Sequence, residues 1–187
     1  MPVWSSGKRS EFERLFIPHL DAAYNLARWL VRHPHDAEDL VQEAYLRAYK
    51  SFGGFRGEEP KAWLMAIVRN TCRTWLKHQN STHKIVDFNE ALVQRNLNAE
   101  QVPIAKPDTA LLAEAEKQPV HEALRQLPEP LRIVVVLREF ENMSYSQIAA
   151  VINVPIGTVM SRLSRARKKL RTLLLTKEIE EKQNELR

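Results

Sequence analysis

The chain has 187 residues, 44% of them hydrophobic, enough to bury a core as one ordinary domain or as two small ones. Its 28 basic and 23 acidic residues leave a net charge of +5, which favours an anionic partner, and its single cysteine excludes an internal disulfide or a thiolate metal cluster. No signal-peptide apolar stretch opens the chain, and the densest apolar run, Ile133 to Leu137, is far too short to span a bilayer, so membrane insertion is not expected and a reducing, cytoplasmic setting is. Glycine is scarce, β-branched alternation is absent and apolar residues recur at helical spacing, which predicts an all-α protein.

A first helical block is predicted from about Glu11 to His78. Phe12, Leu15, Phe16, Leu20, Tyr24, Ala27 and Val31 open it at core spacing, and His33-Pro34 ends that helix. The next is predicted to start at Asp36, an N-cap with Asp39 in a capping-box-like position. Its inward stripe is Ala37, Leu40, Val41, Ala44 and Ala48, while Asp39, Gln42, Glu43 and Leu46 share another face at i, i+3, i+4 and i+7. Taken alone, such an acidic face is ordinary solvated surface.

Residues 51–60 read as a loop, and Lys61 to His78 as a helix with Leu64, Ile67, Val68, Thr71 and Trp75 inward. Its other side carries Arg69, Asn70, Arg73 and Lys77, a basic face suited to a phosphate backbone. Phe52, Phe55 and Trp63, set around Arg56 and three glycines, fit a pocket for an unstacked base; Phe52 and Trp63 equally fit plugs that hold the loop on the helices.

From Gln79 to about Pro107 periodicity fades, and we read residues 80–108 as a flexible linker between a first domain, 1–79, and a second, 109–187. The second is predicted to hold a Leu124/Leu127 helix, a break at Pro128-Glu129-Pro130, a helix over Leu131 to Phe140 and a charged tail from Lys177. Between them, Ser144 to Leu170 reads as two helices joined by a sharp turn: Ile148, Ala149 and Ile152 are apolar, Asn153 tolerates the left-handed conformation, Pro155 ends the first helix, and Val159, Leu163, Ala166 and Leu170 resume helical spacing. Opposite that stripe lie Ser161, Ser164, Arg165 and Lys168, flanked by Thr158 and Arg162. Arg162, Arg165, Arg167, Lys168, Lys169 and Arg171 cluster with no intervening acid. That is a helix-turn-helix with a face for the major groove.

Nothing comparable supports catalysis. Cys72 and His78 lie six apart on one predicted helix and so point to different faces, and His33 and His35 lack a third metal ligand, so no catalytic residue, metal or cofactor is assigned.

Together these segments resemble the short, extracytoplasmic-function sigma factors of bacterial RNA polymerase. Residues 36–49, Phe55-Arg56-Gly57 and 63–70 look like the family's second conserved region; 127–132, Ser144-Tyr145 and 157–163 look like its fourth. The resemblance implies an alternative sigma factor, not an enzyme, that brings core RNA polymerase to the promoters of a stress or signal regulon. Asp39, Gln42, Glu43 and Leu46 would dock on the clamp coiled coil of the largest subunit, and the polymerase flap would be a further contact. Phe55, Arg56, Trp63, Arg69, Asn70, Arg73 and Lys77 would bind the minus-ten element and capture a base from the single-stranded non-template strand. Thr158, Ser161, Arg162, Ser164, Arg165, Arg167 and Lys168 would bind the double-stranded minus-thirty-five element. The larger N-terminal and middle regions of other sigma factors and an appended sensor domain are missing from the chain, which fits the short subgroup and places regulation with an anti-sigma factor. The rival reading is a stand-alone helix-turn-helix repressor or activator whose first block binds a ligand or a second copy.

Overall fold

The computed structural model describes residues 6–31, 33–57, 59–86 and 119–185, and these form helices with no strand among them. The first unit comprises α1 (Ser6–Phe16), α2 (Leu20–Val31), α3 (Pro34–Ser51) and α4 (Pro60–Val86). The second comprises α5 (119–126), α6 (Glu129–Val135), α7 (Tyr145–Ile152) and α8 (Ile156–Glu185). No described helix is long and apolar enough to cross a membrane.

Several boundaries differ from the expected ones, each for a local reason. The predicted opening helix is two helices, because Pro18 lies in a 3-10 turn over Ile17–His19. The change of direction leaves Leu20 45% exposed instead of in the core. α3 starts at Pro34, with His33 in the extended N-cap position and no side-chain cap, so the Asp36 cap is not formed; Asp36 instead sits in the first turn, where the helix dipole favours an acid. α4 continues to Val86, past the expected domain boundary, because residues 80–86 contain no glycine or proline to stop it. The rest of the expected linker, from 87, lies outside the described residues, as do 109–118. The expected break separates α5 from α6 at 127–128, but α6 starts at Glu129 and not at Leu131, with Pro128 as N-cap and Pro130 in the first turn, where a missing N–H costs nothing. α6 then loosens into a π-helical turn over Val136–Phe140.

The inward stripe of α3 is buried as expected, and Phe12, Phe16, Leu26, Leu64, Met65 and Val68 complete the core of the first unit. In the second unit Leu124, Ile133, Val134, Leu137, Ile148, Val159 and Leu163 do the same. Arg132 is buried beneath this core's edge, where its guanidinium donates to the carbonyls of Arg125 and Leu127 at 3.2 Å each and so holds the end of α5. The two units pack together, α4 against α7 and α2 against α6, and their buried residues join in one apolar cluster.

Candidate nucleic-acid interface

Local chemistry makes the helix-turn-helix rigid. Ser144 caps α7 by accepting from the backbone N–H of Gln147 at 3.1 Å, while the Gln147 side chain accepts from the Ser144 N–H at 2.8 Å, a complete capping box. Asn153 ends α7 in the left-handed region at φ 52°, and its N–H bonds back to the Ala149 carbonyl. Ile148, Ala149 and Ile152 meet Val159, Leu163 and Ala166 across the turn, all of them buried.

That packing turns the opposite face of α8 to solvent. Ser161, Ser164, Arg165, Arg167 and Lys168 are exposed, and Thr158 and Arg162 are half-buried at the edges. The Ser161 hydroxyl donates to the Thr158 carbonyl at 3.0 Å, and Arg165 Nε donates to the Ser161 carbonyl at 3.2 Å, which lays the guanidinium along the face. The cluster is less one-sided than its sequence implies: Arg167 pairs with Glu139 of the π-helical turn at 2.8 Å, an acid that is distant in sequence.

The first unit presents two faces. On α3, Asp39, Gln42 and Glu43 are exposed and Leu46 is 62% exposed, so the four form the continuous acidic and apolar face that their spacing requires; Glu43 also pairs with Arg47 one turn on. On α4, Asn70, Arg73 and Lys77 are exposed, but Arg69 is not. It is 9% exposed, turned toward α7 and not outward, and its Nε has no hydrogen-bond partner. Desolvation and the neighbouring Arg73 and Arg162 lower its pKa, although Glu129 opposes them.

The aromatics of the loop take both of the roles open to them. Phe52 is buried, and the Phe16 ring packs against Phe52 at 5.8 Å and Trp63 at 5.2 Å, so these two plug the loop onto α1. Phe55 is half-buried and shares the wall of an open cleft of about 580 Å³ with Lys8, Arg14, Leu15, Phe52 and exposed Arg56. Lys8 lies in the turn of α1 that precedes the expected helix start at Glu11; Ser5 and Ser6, residues that favour helix starts, were the available signal. Cys72 is fully buried, and burial pushes its thiol up to about 12, which leaves no thiolate for chemistry.

Two basic helical faces on separate units, one of them on a helix-turn-helix, define a DNA-binding protein. Residues 15–82 match the family description Sigma-70 region 2, and residues 117–170 match Sigma-70, region 4. The RNA polymerase sigma-H factor of Pseudomonas aeruginosa is 34% identical over 86% of this chain and 84% of its own length. The ECF RNA polymerase sigma-E factor of Escherichia coli strain K12 is 36% identical over 71% of this chain and 70% of its own. Among solved structures, the sigma factor RpoE in complex with the anti-sigma factor NepR from Bartonella quintana aligns at a TM-score of 0.67, with 27% identity over 88% of this chain and 96% of that one. CnrH in complex with the cytosolic domain of CnrY aligns at 0.62, with 26% identity over 91% and 92%. The chain belongs to the sigma-70 family of bacterial RNA polymerase sigma factors, in its extracytoplasmic-function group. It is an alternative sigma factor for transcription initiation, and the stand-alone repressor or activator reading falls away because it has no use for region 2.

Proposed function

We propose that the exposed faces divide the work of initiation in the cytoplasm, with the residues of 1–79 and 109–187 as two promoter-binding modules and 80–108 as their connection. The acidic face of α3 docks on the clamp coiled coil of the largest polymerase subunit. Leu46 supplies the apolar anchor, and Asp39, Gln42 and Glu43 supply the polar rim that sets orientation. The observation that carries this reading is the 62% exposure of Leu46 within a face that is otherwise acidic.

The α8 face enters the major groove at the minus-thirty-five element. Arg165 and the short hydroxyls Ser161 and Ser164 reach base edges, and Thr158, Arg162, Arg167 and Lys168 hold phosphates. The basic face of α4, Arg69 to Lys77, tracks the non-template strand of the minus-ten element. Phe55 and Arg56 offer the cleft beside them to a flipped base, and Trp63 fixes the loop from below. No bond is made or broken by the chain. Opening the duplex costs a few kcal/mol per unstacked base, and binding the flipped state supplies it. An anti-sigma factor is the fitting regulator, as solved relatives are complexes of that kind.

The test is a pull-down of core polymerase with Asp39→Arg plus Gln42→Ala. Loss of binding with an unchanged melting temperature is expected. Retained binding would remove the α3 face from the interface.

A further inference from the structure

Two large apolar side chains in the first two turns of α8 are turned to solvent, Ile156 at 48% exposure and Met160 at 54%, and neither has a part in the roles above. A single exposed apolar residue is ordinary on any surface, so their position is what carries information. They lie at the N-terminal end of the second helix of the helix-turn-helix, the end whose side chains reach base edges when such a helix enters the major groove.

At about 100° per residue, Met160 falls about 40° from Ile156 and from Ser164 and about 60° from Gly157. The reading face therefore has two unlike flanks. Thr158, Arg162 and Arg165 make one of them polar, while Ile156 and Met160 make the other apolar, and between them lie the small residues Gly157, Ser161 and Ser164. Arg165 lies back over Ser161, donating to its carbonyl at 3.2 Å and to its Oγ at 3.3 Å, on the far side of the face from Met160. A Cβ at Gly157 would meet nothing within 4 Å, and its φ is not positive, so the fold itself does not require a glycine there. Glycine is disfavoured within a helix, and its place beside Met160 leaves room for a partner to approach the backbone closely.

The chemistry of the groove narrows what that partner offers. Only one base presents an apolar group in the major groove, thymine with its C5-methyl. Arginine and serine find hydrogen-bonding edges, whereas a thioether makes almost no hydrogen bond and its long, unbranched, polarisable chain adapts to an apolar target. We propose that Met160 is a specificity-determining residue for the minus-thirty-five element, packing its terminal methyl against the C5-methyl of a thymine, with Ile156 one turn earlier extending the apolar flank. The inference deepens the assignment of α8 to that element and rests on it.

The test uses holoenzyme assembled from the full chain and core polymerase, with competing promoter fragments in which each thymine of the minus-thirty-five element, on either strand, is replaced in turn by deoxyuridine. This removes the methyl and leaves every hydrogen-bonding group of the base pair in place. At one position the replacement is expected to weaken competition by about fourfold, the worth of one buried methyl group. With Met160→Ala the same replacement should change nothing, and with Met160→Leu, which keeps an apolar end, the loss should return. All three proteins are expected to melt together, because the side chain is exposed. An element without thymine, a flat deoxyuridine series in the parent, or a loss of the same size in Met160→Ala would overturn the assignment. Failure of the α8 reading itself shows elsewhere: Arg165→Ala would then discriminate among minus-thirty-five bases as the parent does.

Discussion

Asn153 concentrates the backbone demand of the helix-turn-helix in one residue. At φ 52° an alanine would hold the left-handed conformation without the local hydrogen bonding that suits asparagine to it. Asn153→Ala is expected to lower stability by about 1 kcal/mol, read as a lower urea midpoint at constant slope, while Asn153→Gly should stay near the parent. Arg165 lies on the exposed face of α8, so its loss should leave stability alone and reduce discrimination against altered minus-thirty-five bases by roughly 1 to 3 kcal/mol, measured with competing promoter fragments. His19 behaves differently. Burial, and then Lys61, hold its pKa below the ordinary 6.5, so the folded chain binds fewer protons than the unfolded one. Stability is therefore full above that value and declines as the pH falls through the depressed value; His19→Gln should flatten this acid side in a series of thermal melts. Single residues with local duties, Asn153 above all, were legible from the sequence, whereas Arg69 was not. Its helical phase borders the buried stripe of Met65, Val68 and Cys72, and the second unit, with Ala150 to Asn153 of the α7 end nearby, lies against it.

At the scale of elements, α7 and α8 were the most legible part of the chain, because period, turn chemistry and charge agree there without help from distant contacts. Even so, the Ser144 cap escaped the sequence analysis, although its Gln147 partner lies at capping-box spacing. Ser144→Ala should cost about 1 kcal/mol in urea unfolding, with a loss of helix content confined to α7 by hydrogen exchange. The acidic face of α3 formed as its spacing required, since all four residues project from one uninterrupted helix. Prolines produced the misplaced boundaries. Pro18 was passed over inside an apparently continuous apolar pattern, and the break read at Pro128-Glu129-Pro130 stands at 127–128 but gives way to α6 two residues before the expected Leu131. A proline ends one helix and begins another by the same missing N–H and fixed φ, and its neighbours in sequence do not say which.

For the whole molecule, sequence separates the two units and says nothing about how they meet. The pairs Lys61–Glu141 and Glu59–Gln147 that join them lie eighty or more positions apart in the chain, and neither Lys61 nor Glu141 stands out in its local sequence. Joined in this way, Arg69 of α4 is covered, while Asn70, Arg73, Lys77 and the faces of α3 and α8 remain exposed. Two modules of modest affinity gain effective concentration once the polymerase fixes their spacing, so promoter recognition belongs to the assembly. The most direct measurement is run-off transcription with purified core RNA polymerase on genomic fragments, with and without this chain. Discrete new start sites that require both proteins, and that share two upstream elements at a constant spacing, are the predicted result; DNA binding by the chain alone with no new transcript would contradict it.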